Sequence, residues 1–175
     1  MSGGGVATAV TDAGMLCVWC PEYFRDVDGY DAWETRVNER LSDAIRAGEL
    51  VPVNIRSDGA FGVRVAIAPP DLTEREHTYA VVTSKPYLLA VTGGELCLSG
   101  IEGVGDTDRA PLRVTLVDGR YAVRATIVAW DEEPGGRGPA GKPTEDALPD
   151  FVVQITPEAG TEQYRTLEVT FDPPE

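Results

Sequence analysis

Apolar and polar residues alternate along most of this chain, and the period of that alternation predicts its elements. Val51, Val53 and Ile55 occupy every second position, Ser57-Asp58-Gly59 turns the chain, and Phe61, Val63, Val65 and Ile67 resume the pattern. A period of two puts one set of side chains on one face of a strand, so residues 51–67 predict a hairpin, ended at Pro69-Pro70. Leu112, Val114 and Leu116, then Asp118-Gly119, then Tyr121, Val123, Ala125 and Ile127 predict another. Its opposite face carries Arg113, Arg120, Arg124 and Thr126, so one side is buried and one is wet. Gly5–Val10 and Met15–Cys20 read as an N-terminal hairpin turning at Thr11-Asp12-Ala13-Gly14. Further strands are predicted at Tyr79–Thr83, Tyr87–Thr92, Glu95–Ile101, Phe151–Thr156 and Tyr164–Phe171, with Pro86 marking an edge or a bulge.

The period changes once. Trp33, Val37, Leu41 and Ile45 recur every four residues, with Ala44 beside them and Arg36, Asn38, Glu39, Arg40 and Asp43 opposite. That is one apolar stripe on a helix of about residues 31–47, capped by Asp31 with Glu34 three residues on, and stopped by Gly48. The charged connector 71–78 and the Gly/Pro/acid stretch 131–149 read as loops, the second long enough to be flexible or functional. The whole predicts a mainly β chain: an antiparallel β-sandwich or partly open barrel of about ten strands with one amphipathic helix. Its 175 residues suit a single domain, organised as an N-terminal hairpin (1–20), the helix (31–47) and a sandwich core (51–171).

Charge narrows the partners. Lys plus Arg number 15 against 29 Asp plus Glu, a formal net charge of −14. Such a surface repels phosphate backbones, which excludes nucleic acid as the expected partner and favours a basic protein. No run of about 18 apolar residues predicts a membrane span, and the N-terminus lacks the pattern of a secretory signal, so a cytoplasmic location is expected.

Cys17-Val-Trp-Cys20 has the spacing of a zinc or redox motif, and with Cys97 and His77 it could supply four ligands. The surroundings argue otherwise. MLCVWC reads as an apolar strand, where residues three apart point to opposite faces, and Cys97 lies in the apolar run ELCL. His77 falls in the polar connector. A thioredoxin-type site needs its first cysteine at a helix N-terminus, whereas Pro21 follows Cys20 here. Reduced, buried thiols are the expectation, with no metal or cofactor. Asp26-Val-Asp28-Gly29-Tyr30-Asp31 departs from calcium-loop spacing and reads as the turn and cap before the helix. There is no nucleophile elbow, no phosphate-binding Gly-Lys-Ser/Thr loop and no base beside a serine or cysteine, which points away from an enzyme.

The stretches YAVVTSKPYLLAVTGGELCLSGI and VTLVDGRYAVRATIVAWDEE, within about residues 50–156, resemble the competence-type nuclease inhibitors of bacteria. The N-terminal hairpin and helix lie outside that likeness, and no site residue is carried over from it. The resemblance implies a non-enzymatic protein that blocks a basic nuclease. Aromatic anchors beside acidic steering groups then nominate Trp130, Asp131, Glu132 and Glu133, and Asp26, Asp28 and Tyr30, as the protein-binding residues. Two other readings stay open: a small-molecule or catalytic pocket near the helix, and a scaffold that oligomerises through edge strands near Pro86 and the C-terminus.

Overall fold

The protein, described here from a computed structural model, folds as two packed β-sheets. The structure describes residues 3–67, 69 and 71–172; Pro70, expected to help end a strand, lies outside them. Ten strands occur among the described residues: β1 (Gly3–Thr11), β2 (Met15–Trp19), β3 (Leu50–Asn54), β4 (Gly59–Ile67), β5 (Ala80–Thr83), β6 (Tyr87–Val91), β7 (Glu95–Gly100), β8 (Leu112–Thr115), β9 (Gly119–Val128) and β10 (Phe151–Pro157). One sheet has the order β1-β4-β10-β9-β5, with β6 also on β9; the other has the order β3-β2-β7-β8. The fold is a sandwich and not a closed barrel. Its pairs are antiparallel except β4 with β10, which run parallel.

Strand alternation builds the core. Val65, Val153 and Ala125 lie in register across β4, β10 and β9, and Ile67, Ile155, Val123 and Tyr87 extend the next row onto β6. These side chains are buried against the second sheet, where every residue of β2 is buried. The opposite face of the six-stranded sheet holds a smaller cluster of Ala66, Val128, Leu148 and Val152.

The predicted strands are found except the one at 164–171, but the predicted hairpin partners are not. β1 pairs with β4 and β2 with β3, so the N-terminal turn carries the chain from one sheet to the other. The turns before β4 and before β9 do the same. Two of these turns interlock: the Gly14 carbonyl accepts from both Ile55 N and Arg56 N, each at 2.9 Å. Alternation fixes which face of a strand is buried, and a strand opposite in the other sheet satisfies it as well as one alongside. Residues 164–171 form no strand. They strap the open end of the sandwich: Thr170 Oγ1 accepts from Asn54 N at 3.0 Å and donates to the Pro52 carbonyl at 2.7 Å. Tyr87 Oη donates to the carbonyls of Leu167 and Val169.

The helix predicted at 31–47 is broken into α1 (Tyr30–Trp33), a π-turn at Glu34–Asn38 and α2 (Leu41–Ala47). The extra residue of a π-turn rotates the preceding turn relative to the next one. Val37, Leu41, Ala44 and Ile45 stay in the core, while the half-buried Trp33 donates from Nε1 to the Ile101 carbonyl at 3.0 Å. Gly48 ends α2 in the left-handed conformation, as expected. The connector 71–78 contains a short helix, α3 (Glu74–Thr78), held by a Thr73/Glu76 capping box. No helix among the described residues is long and apolar enough to cross a membrane.

Glu76 is 2% exposed and accepts from Arg64 Nε and Nη2. Burial favours its protonated form, but the Arg64 hydrogen bonds and the Thr73 amide outweigh burial and hold its pKa below the ordinary glutamate value. A depressed folded-state pKa contributes stability above the ordinary value and loses it as pH falls through the folded value. Glu76→Gln is therefore expected to lower unfolding free energy by about 2–3 kcal/mol at neutral pH. It should also flatten the loss of stability below about pH 4.3. Urea titrations from pH 7 to 3 would show both, and an acid limb unchanged by the substitution would contradict this role.

Candidate functional site

Two irregular segments face each other beside the second sheet. After β2 the chain makes a 3-10 turn at Pro21–Phe24, where Phe24 meets Trp19 edge to face at 5.9 Å and lies under the Arg36 guanidinium. It then runs through Val27 and Asp28 into α1. Opposite, β7 leads into 3-10 turns at Ile101–Gly103 and Thr107–Arg109. The two walls close at Gly105, whose φ is +98° and where an added Cβ would stand 2.7 Å from Val27. Glycine alone fits both demands.

Between the walls lies a groove of about 750 Å3. One side presents Tyr30, 72% exposed, stacked on Trp33 with ring centroids 6.1 Å apart. Asp28, Glu102, Asp106 and Asp108 surround these rings, with Arg109 at the same rim. Asp28 pairs with no cation among the described residues. Asp106 accepts from Asp108 N at 3.1 Å and has Arg109 Nε at 3.5 Å, an exposed contact that screening weakens. Glu102 is tied to the first sheet: Oε2 accepts from Thr11 Oγ1 at 3.1 Å and Oε1 from Asp12 N at 2.9 Å. The result is a negative cleft with an aromatic wall, suited to a cationic group with a flat or apolar stem.

The seven residues nominated from the sequence do not form one site. Asp28 and Tyr30 line the groove, and Asp26 sits beside it, 3.9 Å from Arg36 Nε. Trp130 is half-buried against the cluster on the outer face of the six-stranded sheet, and its Nε1 donates to Asp150 Oδ1 at 2.9 Å. Asp131 pairs with Arg137 at 2.6 Å. Glu133 accepts from Arg75 Nε and Nη2, both at 2.7 Å, and those bonds hold its pKa low. Of these three acids only Glu132 lacks an ion pair among the described residues. The stretch 131–149 is itself hydrogen-bonded, through Gly138 N to the Lys142 carbonyl and Thr144 Oγ1 to the Gly135 carbonyl. Sequence reasoning missed Trp33, which it assigned to the apolar helix stripe, and Glu102, Asp106, Asp108 and Arg109. The signal was Gly100-x-x-Gly103-x-Gly105, a spacing that lets a chain approach its neighbours closely.

No family model and no curated protein matches this chain. Solved structures do share its fold. One is described as crocagin biosynthetic gene J, with a TM-score of 0.59 and 19% identity over 90% of this chain and 97% of that one. Another is ComJ from Bacillus subtilis, described as an inhibitor of the DNA-degrading activity of NucA, with a TM-score of 0.54 and 9% identity over 90% of this chain and 99% of that one. The resemblance to competence-type inhibitors read from the sequence thus holds at the level of fold. It also extends well beyond residues 50–156.

Cys17, Cys20 and Cys97 are buried and unpaired. Cys17 lies opposite Ser99 and Cys97 opposite Trp19 in the sheet, while Cys20 follows the strand with Sγ 3.0 Å from the Thr92 carbonyl. His77 is exposed on α3. Among the described residues no group of three or more His, Cys, Asp or Glu side chains is placed to hold a metal. Burial, with a smaller push from Glu102, raises the Cys17 thiol far above its ordinary range; burial and then Glu95 push Cys97 up to about 12. Thiolates are the reactive form. A chromogenic disulfide reagent at pH 8 should therefore leave both thiols unmodified in native protein and titrate them in urea. Rapid native labelling of either, read by peptide mass, would contradict the packing.

Proposed function

We propose that this chain is a non-enzymatic binding protein that docks a basic partner protein through the groove between α1 and the turns after β7, and that it antagonises a nuclease. The observation that carries the reading is the exposed Tyr30, stacked on the half-buried Trp33, beside Asp28 and Asp108, which form no ion pair among the described residues, in a chain of net charge −14. Aromatic side chains anchor interfaces at low entropic cost, and uncompensated acids speed encounter with a basic surface. Carboxylates spaced around a cleft also stand in for the phosphates a nuclease binds. Inhibition is supported by the fold shared with ComJ. The exposed Glu132 adds steering charge from the other side of the molecule. Three unpaired thiols suit a reducing compartment such as the cytoplasm.

A small cationic ligand is the second reading, favoured by a groove volume within the range of ligand clefts.

Capture from lysate of the host on immobilised protein, at low and high salt, tests the first reading. Wild type should retain a basic nuclease and suppress its DNA degradation. Asp28→Asn with Asp108→Asn should weaken retention about tenfold and flatten its salt dependence, and Tyr30→Ala should cost about 2 kcal/mol of binding. A partner held equally by all variants, or no basic partner at either salt, would overturn it.

A further inference from the structure

The edges of a sandwich are where another chain can add a strand, and folded proteins block them. Most edges here are blocked. On β3, Pro52 lacks an amide donor, and Thr170 occupies the Pro52 carbonyl and the Asn54 amide. On β6, Ala90 N donates to the Gly48 carbonyl and the Pro86 carbonyl accepts from Arg165 N. β5 is four residues long and bulged, and β8 is four residues long with Arg113 paired to Glu95. β1 has none of these devices. It is nine residues long, contains no charge and no proline, and among the described residues pairs with β4 alone. Val6 and Val10 are exposed on it at 69% and 57%.

A second, smaller groove of about 260 Å3 runs from Thr8 and Val10 of β1 to Gly100 and Pro111. It shares Glu102 and Arg109 with the acidic groove, so the strand edge and the aromatic cleft meet at those two residues. We infer that an extended basic segment of a partner protein adds as a strand along Gly3–Thr8 and delivers an arginine or lysine past Glu102 into the cleft of Tyr30, Asp28 and Asp108. This rests on the proposed function and names its mode of recognition: main-chain hydrogen bonds supply affinity, and the cleft supplies choice of side chain. Charge selects the occupant. A second copy would bring the same net charge of −14 against this acidic cleft, whereas a basic segment complements it. Arg109, whose side chain is 78% exposed and whose one ion pair among the described residues is its 3.5 Å contact with Asp106, turns aside to admit it.

The test is selection of random peptides displayed on phage against the full chain, followed by synthesis of the enriched peptides with free and with alternately N-methylated backbones. Enriched peptides should carry arginine or lysine. Their binding should slow amide exchange over Gly3–Thr8, and N-methylation, which removes strand hydrogen bonds, should weaken it at least about tenfold. Binding that ignores N-methylation and protects only residues 27–33 and 101–109 would overturn strand addition while leaving the groove as the docking site. Enriched peptides without basic residues, or no enrichment at all, would overturn both. A dimer by light scattering that Val6→Lys dissociates would assign the edge to a second copy and overturn the inference.

Discussion

One carboxylate joins the two sheets at the point where the functional groove begins. Glu102 leaves the four-stranded sheet on the turn after β7, and its two oxygens take the Thr11 hydroxyl and the Asp12 amide at the end of β1. The approach is close because Gly100 has no side chain: a Cβ there would stand 2.6 Å from the Val10 carbonyl. The end of β1 also reaches this turn through β2, where Met15 N donates to Thr11 Oγ1 and Leu16 pairs with Gly100, but the Glu102 side chain also lines both grooves. A hydrogen bond to a charged group holds geometry better than apolar contact, because it is directional as well as attractive.

The excess of acid over base is distributed, and its distribution makes the site. Several arginines are engaged with carboxylates: Arg64 with Glu76, Arg75 with Glu133, Arg113 with Glu95, Arg120 with Glu158, Arg137 with Asp131 and Arg165 with Asp172. Arg75–Glu133 and Arg120–Glu158 join segments 58 and 38 residues apart. Among the described residues Asp28 and Asp108 form no such ion pair, so both leave negative charge at the rim of the aromatic groove. The Trp33 indole, fixed by its hydrogen bond to Ile101, holds the rim on which Tyr30 stacks.

Much of the architecture was legible from spacing alone. The alternation at Phe61–Ile67 and Tyr121–Ile127 marked real strands with the correct buried faces, and Val37, Leu41 and Ile45 marked the correct helical stripe. Partner choice was not legible, because Val114 and Val123 satisfy the same pattern whether their strands lie side by side or in facing sheets. The strand expected at 164–171 failed for another reason: Arg165 and Thr170 take backbone groups through their side chains, which fixes an irregular strap in place of a ladder. α3 was written in Thr73 and Glu76, a capping box followed by too few apolar residues to show a period. Half of the site was visible in Asp28 and Tyr30. The other half sits on a turn whose acids look like any others until the fold brings them to the same cleft.

The most direct test is a double-mutant cycle on folding stability with Thr11→Val, Glu102→Gln and the pair, each measured by urea denaturation at neutral pH. If the carboxylate joins the sheets, both single changes weaken the Thr11–Glu102 hydrogen bond. The cost of freeing Ala13 N and Met15 N falls equally on both arms that carry Thr11→Val. The double variant should then be less destabilised than the sum by about 1 kcal/mol. Strict additivity, within about 0.3 kcal/mol, would contradict it: the two residues would then be neighbours without coupling.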